Sequence, residues 1–285
     1  MKGRTSTQAR LDKAPKPLFD KLDPSLLRKE TYAALINLYS QYIPQTGVEE
    51  TVTASQEREV DNFLNLILRT APLRHLYQFL HHKGWRDASS ESSFKQFLHR
   101  LWFQRYSRAK GKKDSSGFEH VFLGEVKQRK DGSGAEEISG LHSWLRAYYW
   151  EKNGGLDYTG YIYKTPDYAS IQAVYGSAWK SGGSFILGRS PEFDIALYTA
   201  CFILRRGGDR CKFTTPNCTR ISVTTFELNQ GGRQFLGTAY PFGQKDTECR
   251  PRTQPVIPLL SKGLCLAPAQ LTLFLSLLHL AADAF

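Results

Sequence analysis

The spacing of apolar residues changes once along this chain, and the change limits the folds that the chain can adopt. Before residue 108, apolar side chains recur three and four positions apart in four successive stretches, which begin at Leu35, Val60, Leu73 and Phe94. This period places them on one face of a helix. After residue 117, short segments alternate as strands do. The sequence therefore predicts an α+β fold, with an N-terminal helical region followed by a strand-rich region in which helices flank β-sheets.

Changes in composition divide the chain into five segments. Residues 1–15 are basic and polar and are predicted to form a flexible arm. Residues 16–107 form the helical region, residues 108–117 form a basic linker rich in Gly and Ser, and residues 118–243 form the strand-rich region. Residues 244–285 form an atypical tail, in which prolines disfavour strand pairing: Pro251, Pro255 and Pro258.

The strand-rich region shows a period of two residues at several places. Strands are predicted at 118–126, 167–175 and 184–187, and a polar loop at 127–134. Residues 219–228 and 233–240 flank the turn Asn229-Gln230-Gly231-Gly232 and predict a β-hairpin.

Two helices are predicted among these strands. The first covers Leu141 to Asn153 and ends at Gly154, since glycine readily adopts the left-handed conformation that terminates helices. The second begins at Ser190 and Pro191, with a capping hydroxyl and a proline in the first turn, and extends to about Leu204.

The charge balance points to a polyanionic partner. The formal net charge is +11, and the 41% hydrophobic fraction excludes a largely disordered chain. Lys and Arg displace counterions from phosphates, which favours nucleic acid, although an anionic membrane surface or a merely soluble basic protein would fit the charge as well. The apolar segment Leu271 to Ala282 is shorter than the ~20 residues that span a bilayer, so no stable membrane span is expected.

No apolar stretch follows the basic start of the chain, so we predict no signal peptide. The location stays open, intracellular for the chain as it stands and secreted if its start is truncated. We expect a monomer.

All five cysteines lie in the last third of the chain, without zinc-site spacing. Cys201 sits in an apolar run and is predicted to be a small core residue. Cys211 and Cys218 could form a local disulfide in an oxidising compartment, and the sequence leaves their state open.

Two of the seven histidines lie outside both the helical region and the tail. His120 is predicted on a strand and His142 near the start of a helix. A lone histidine on a strand is more often structural than catalytic. A pair of imidazoles, however, can deprotonate the 2′-hydroxyl of RNA and protonate the departing 5′-oxygen. A lysine such as Lys180 could then stabilise the charged phosphoryl oxygens.

Five segments occur in the order of the EndoU family of uridylate-specific endoribonucleases and resemble its motifs. Three of them contain His120, His142 and Lys180. The segments are 115–125, 140–144, 179–186, 190–198 and 237–241. The resemblance extends from about Lys16 to Pro241.

The resemblance implies an endoribonuclease that cleaves single-stranded, U-containing RNA at uridylates by attack of the 2′-hydroxyl. The products would be a 2′,3′-cyclic phosphate and a 5′-hydroxyl. His142 would be the general base, His120 the general acid, and Lys180 the cation at the phosphoryl oxygens. The resemblance leaves open the reverse assignment of acid and base to the two histidines. The alternative is a catalytically impaired RNA-binding protein of the same fold.

The resemblance also implies substrate-binding residues. Ser184 would contact the uracil edge, Tyr240 would hold the ribose and base, and Thr238 would flank them. Glu119 and Glu125 would be supporting carboxylates that orient the histidines, although solvent-facing strand positions would explain them equally well.

A divalent cation, Mn²⁺ or Ca²⁺, is implied by the resemblance alone, and its ligands are unknown. Glu192 and Asp194 are acids that are available near the motifs. The loop 127–137 is longer than the family pattern, as a tolerated surface insertion would be. Lys180 precedes Ser181-Gly182-Gly183, and because glycine costs backbone entropy, we expect this lysine to be less firmly held.

Overall fold

The computed structural model describes residues 12, 14–109, 111–204 and 211–250. Its N-terminal half contains the predicted helices. Side-chain caps begin three of the N-terminal helices: Asp23 Oδ1 accepts from Ser25 N at 2.9 Å, Thr53 Oγ1 accepts from Gln56 N at 3.1 Å, and Ser90 Oγ accepts from Ser93 N at 3.0 Å. The helices are α1 (Pro24–Leu27), α2 (Glu30–Leu38), α3 (Ala54–Leu68), α4 (Ala71–His82) and α5 (Glu91–Phe103).

The described part of the second half contains two sheets and two α-helices, which confirms the predicted α+β fold. One sheet has the order β1-β2-β5-β4-β3 and is antiparallel except between β2 and β5. Its strands are β1 (Glu125–Gln128), β2 (Glu136–Ser139), β3 (Leu156–Thr165), β4 (Tyr168–Tyr175) and β5 (Ala178–Ile186). The other is antiparallel, with β6 (Cys211–Thr214), β7 (Thr219–Gln230) and β8 (Arg233–Lys245). The helices are α6 (Trp144–Lys152) and α7 (Pro191–Leu204).

Helix α7 joins the two halves of the molecule. It is apolar on almost every side and packs against α2, α3, α4 and β7. Trp102 of α5 donates its indole N–H to Thr199 Oγ1 of α7 at 2.9 Å. Because both halves bury their apolar faces against this helix, they share one hydrophobic core.

The segment 108–117, expected to be a linker, is partly buried. Asp114, Ser115 and Ser116 are almost inaccessible to solvent. The carboxylate of Asp114 accepts hydrogen bonds from Arg108 N at 2.7 Å and Gly47 N at 2.5 Å. The first bond folds the segment on itself, and the bond from Gly47 attaches it to the body of the protein.

The strand predicted at 118–126 is wrong for most of its length. Residues Glu119–Leu123 form a single π-helical turn, closed by a bond from Gly124 N to Glu119 O at 2.9 Å. Only Glu125 onward is a strand. The apparent alternation covers only a few residues, and all of them are buried, so it cannot distinguish a strand from a helical turn.

Other predicted bounds shift in smaller ways. His142 precedes α6 instead of lying within it, and β5 starts at Ala178, before the predicted strand. The long loop is the β1–β2 hairpin, and β3 was not predicted. The helix from Pro191 to Leu204 and the β7–β8 hairpin are confirmed, although the hairpin turn is shorter than expected.

The cysteines pair differently from the local bridge considered for Cys211 and Cys218. Disulfides join Cys201 to Cys211, with Cα atoms 5.7 Å apart, and Cys218 to Cys249, with Cα atoms 5.4 Å apart. Cys201 is buried as predicted, but in a bridge. Strand β6 separates Cys211 from Cys218, and the end of β8 brings Cys249 to Cys218 instead.

No helix in the described ranges is long and apolar enough to cross a membrane. Most of the N-terminal arm and the tail after Arg250, including Leu271 to Ala282, lie outside the described residues.

Candidate active site

His120 lies on the π-helical turn with a carboxylate behind it. Its backbone N–H donates to Ser116 O at 3.1 Å, and its Nδ1 lies 2.8 Å from Glu125 Oε2. Glu125 follows the turn directly, as the first residue of β1. The π-helical turn therefore allows the chain to reverse and place the two side chains in contact.

The Glu125 carboxylate is held ionised by its surroundings. Burial alone would raise its pKa, but His120, Arg108 and the Ser115 hydroxyl together hold the pKa below its usual value. Arg108 Nε lies 3.1 Å from Glu125 Oε2, and Ser115 Oγ donates to the other carboxylate oxygen. An ionised Glu125 in turn stabilises the protonated form of His120.

His142 is positioned by main-chain bonds to the same π-helical turn. Leu141 N donates to His120 O at 2.9 Å, and His142 N donates to Val121 O at 2.7 Å. This approach requires Gly140, because a Cβ atom there would lie 1.8 Å from His120 O. Gly140 also has φ +69°, which glycine adopts without strain. The first two motif segments are thus joined backbone to backbone.

The Nδ1 atom of His142 faces a carbonyl, not a carboxylate. It lies 3.0 Å from Ser184 O, which can only accept, so we assign the hydrogen to Nδ1 and leave Nε2 as an acceptor. Burial, Lys180 and His120 lower the pKa of His142 well below its usual value. Burial also lowers the pKa of His120, but there Glu125 opposes the shift. His142 is neutral at physiological pH.

The three predicted catalytic residues converge. The imidazole centroids of His120 and His142 are 6.2 Å apart. The charge of Lys180 lowers the pKa of both histidines, which places this lysine within electrostatic reach of each.

Lys180 is firmly held, in contrast to the expectation from the glycines that follow it. It is buried, and its Nζ donates to Ile138 O at 3.1 Å. A Cβ atom at Gly183 would lie 3.1 Å from Lys180 Cε, so glycine at this position leaves room for the lysine side chain. Burial and the charge of Lys127 lower the pKa of Lys180 to about 8.

The predicted substrate-binding residues border the histidines. Tyr240 is half-buried, and its ring centroid lies 5.5 Å from that of His142 at an interplanar angle of 33°. Thr238 lies on the same face of β8, and its Oγ1 has no hydrogen-bond partner among the described residues. Ser184 accepts from His142 through its carbonyl and is half-buried.

Glu119 does not share the role of Glu125. Neither carboxylate is solvent-facing, since each is 2% exposed. Burial, Glu50 and Glu125 raise the pKa of Glu119 to about 8, so this carboxyl is protonated at neutral pH. Its Oε1 has no hydrogen-bond partner within the described ranges, and its supporting bond is a backbone one, from Glu119 N to Ser116 Oγ at 3.2 Å.

The residues present do not fit the divalent cation implied by the family resemblance. The described part of the chain contains no group of three or more His, Cys, Asp or Glu side chains that could hold a metal ion. Burial raises the pKa of Asp194 well above its usual value, which disfavours the ionised form that a metal requires. Glu192 lies in the first turn of α7, where a carboxylate interacts favourably with the helix dipole.

Arg108 was missed by the sequence reasoning. Besides Glu125, it contacts the Tyr106 hydroxyl at 2.6 Å and the carbonyl of Gly237 in β8. Arg108 lies in a segment that resembled a linker, so nothing in the sequence pattern indicated that it contacts the active site. Ser115, which receives the Arg108 Nε–H at 3.0 Å, was within the first motif but had no assigned role.

Comparisons with known proteins identify the family of the chain. Residues 1–241 match the model of the family described as endoribonuclease XendoU. The chain is 39% identical over 245 residues to a human uridylate-specific endoribonuclease and 35% identical over 239 residues to uridylate-specific endoribonuclease B of Danio rerio. These matches cover 83% and 81% of this chain, and 57% and 80% of the relatives. The chain thus spans little more than half the length of the human relative.

A solved structure is also similar. It is described as that of XendoU, a splicing-independent snoRNA-processing endoribonuclease, and it superposes with a TM-score of 0.65 at 33% identity. The similarity covers 84% of this chain and 86% of the solved one.

Proposed function

Because the chain belongs to the XendoU family of endoribonucleases, we propose that it cleaves single-stranded RNA at uridylates by attack of the 2′-hydroxyl on the adjacent phosphorus. The products are a 2′,3′-cyclic phosphate and a 5′-hydroxyl. The reaction needs a base for the attacking hydroxyl, an acid for the leaving oxygen and a cation for the phosphoryl oxygens.

His142 acts as the general base in this proposal. It is neutral, and its Nδ1–H donates to Ser184 O, so the lone pair of Nε2 is free to accept the 2′-hydroxyl proton. The carbonyl also holds the imidazole in one orientation.

His120 acts as the general acid. Glu125 stabilises the imidazolium through Nδ1, which leaves Nε2–H to protonate the departing 5′-oxygen. Two environments that push the pKa values of a histidine pair apart are typical of an acid and a base at one site. This difference between the Nδ1 partners is the observation that carries the proposal, and it favours catalysis over RNA binding alone.

Lys180 stabilises the negative charge that develops on the phosphoryl oxygens. The bond to Ile138 O fixes its ammonium group before substrate binds, so little reorganisation is needed in the transition state. With a pKa of about 8, it keeps its charge at neutral pH and loses it as the pH rises above 8.

The uridylate is placed by residues on the His142 side of the site. Tyr240 stacks beside His142 and supports the ribose and base, while Ser184 and Thr238 supply polar groups for the uracil edge. A site that hydrogen-bonds one base edge rejects bases that leave its polar groups unpaired.

The test compares two oligonucleotides that differ at one atom. One contains a single ribouridine among 2′-deoxyadenosines, and the other contains 2′-deoxyuridine at the same position. We expect cleavage of the first alone, with a 2′,3′-cyclic phosphate identified by mass spectrometry. Cleavage of both strands, or a product with a 3′-hydroxyl, would contradict the mechanism. A third strand with ribocytidine measures the preference for uridine.

A further inference from the structure

One face of the β6-β7-β8 sheet is open to solvent, and Tyr240 lies within it. Side chains alternate along these strands, so residues two apart on β8 share a face. Ala239 and the alternate positions Pro241 and Gly243 are buried on the inner side, whereas Thr238, Tyr240 and Phe242 point the other way.

Phe242 is the most exposed large apolar residue of this face. Its side chain is 52% exposed, although its ring approaches that of buried Tyr168, with centroids 6.5 Å apart. On the far side of Tyr240, Phe226 is 51% exposed and stacks on Tyr240 with centroids 6.4 Å apart. The proposed uridylate site therefore belongs to a row of three aromatic rings.

Cationic side chains share this face of the sheet with Phe242. Register places Ser222 of β7 opposite Phe242, Arg220 opposite Gln244, and Lys212 of β6 opposite Ser222. Arg220 and Lys212 are both exposed, and Arg220 also lies 3.2 Å from Asp246. Aromatic rings interleaved with cations on an open sheet suit a single-stranded nucleic acid, because every base can stack and every linkage carries a negative charge.

We propose that Phe242 is a base-stacking subsite for a nucleotide next to the scissile uridylate, and that Lys212 and Arg220 contact the phosphates along it. This inference rests on the proposed function and extends it from one nucleotide to at least two. Phe242 does not touch the reacting atoms, so its effect is on substrate binding.

The test measures kcat/KM for two substrates with and without Phe242. The long substrate is a pentanucleotide with one ribouridine flanked by 2′-deoxyadenosines. The short one is uridine 3′-(4-nitrophenyl phosphate), which has no neighbouring base. For Phe242→Ala we expect a loss of about 5- to 150-fold on the pentanucleotide, the range that stacking supplies per base, and less than about 2-fold on the short substrate. The loss should fall mainly on KM, and Phe242→Trp should restore it.

Abasic substrates identify the side that Phe242 serves. Removing the base 5′ or 3′ of the ribouridine should make wild type and Phe242→Ala equal on one of the two strands. Val52→Ala alters another exposed apolar residue, in the loop before α3, and should leave kcat/KM unchanged on both the pentanucleotide and the short substrate.

The electrostatic part has its own matched pair. Lys212→Gln should make the dependence of log kcat/KM on log salt shallower by about 0.7, the slope of one phosphate contact on a single strand. Arg74→Gln removes one positive charge from an exposed position of α4 and should leave the slope of log kcat/KM against log salt unchanged.

Several results would overturn the subsite. If Phe242→Ala loses kcat/KM equally on both substrates, Phe242 has a structural role. If kcat/KM on the pentanucleotide is unchanged, Phe242 does not bind substrate. If Phe242→Ala sediments with a lower molecular mass than wild type and its kinetics are unchanged, this face binds a second copy of the chain instead of RNA. If wild type cleaves neither substrate, the proposed function falls and the subsite with it. If wild type is active and Phe242→Ala has the same kcat/KM as wild type on both substrates, the subsite is contradicted but the proposed function stands.

Discussion

The two histidine pockets of this protein contain the same side chain in opposite settings. His120 sits on a π-helical turn and is backed by an ionised carboxylate, at 2.8 Å from Glu125. His142 sits in the segment that precedes α6 and is backed by a main-chain carbonyl, at 3.0 Å from Ser184 O. Both rings are buried, and burial lowers the pKa of each; at His120 the Glu125 carboxylate opposes the shift, whereas at His142 the charges of Lys180 and His120 add to it.

This difference assigns roles that residue type alone leaves interchangeable. A carboxylate stabilises imidazolium and favours an acid, whereas a carbonyl orients neutral imidazole and favours a base. The histidines are close enough that His120 also lowers the pKa of His142. The following experiments test whether the two pockets differ in function as they differ in structure.

The largest effects are expected from removing each imidazole. His120→Ala and His142→Ala should each lower kcat on an oligonucleotide by about 10²–10⁴-fold, with RNA binding largely retained. Uridine 3′-(4-nitrophenyl phosphate) separates them, because its leaving group needs no proton. On that substrate His142→Ala should keep its full loss, whereas His120→Ala should lose less than about 10-fold. The reverse pattern would exchange the two roles.

Next in size is the loss of the ring beside His142. Tyr240→Ala should lower kcat/KM at uridine by about 5- to 150-fold and weaken the preference for uridine over cytidine, since a stacking surface is removed. Tyr240→Phe keeps the ring and serves as the control. If Tyr240→Ala instead unfolds at a much lower temperature than wild type, Tyr240 stabilises the core, and its assignment to substrate binding beside His142 is contradicted.

A smaller effect is expected from neutralising the carboxylate behind His120. Glu125→Gln should lower kcat about 10-fold and shift the alkaline limb of the pH–rate profile to lower pH. The sign follows from the pKa values: Glu125 raises the pKa of His120, so without it the acid loses its proton at lower pH. An unchanged alkaline limb would show that Glu125 only orients the ring.

The smallest effect is expected at the neighbouring acid. Glu119→Gln should change kcat by less than about 2-fold below pH 8, because a carboxyl with a pKa of about 8 is already neutral there and the amide mimics it. The pH–rate profile measured alongside that of Glu125→Gln is the check. A shift as large as that of Glu125→Gln would mean that Glu119 also acts on His120.

Individual elements show why some features followed from the sequence and others did not. Helix α7 was predictable because Pro191 starts it and its apolar run is too long for a strand. The turn at Glu119–Leu123 was not, because a few alternating residues resembled a strand although all of their side chains are buried. Burial of Ser115 and Ser116 was hidden for another reason, since Ser and Gly are equally common in loops.

The sequence by itself determined the order of helical and strand-rich regions, the family resemblance, and the residue types that could supply acid, base and cation. Only the tertiary structure decided which partner each histidine has. Arg108 and Ser115 hold the Glu125 carboxylate that contacts His120, and Ser184 O reaches His142 from 42 residues away. A main-chain carbonyl leaves no trace in residue identity, and the pKa of a buried group depends on neighbours that folding alone brings together.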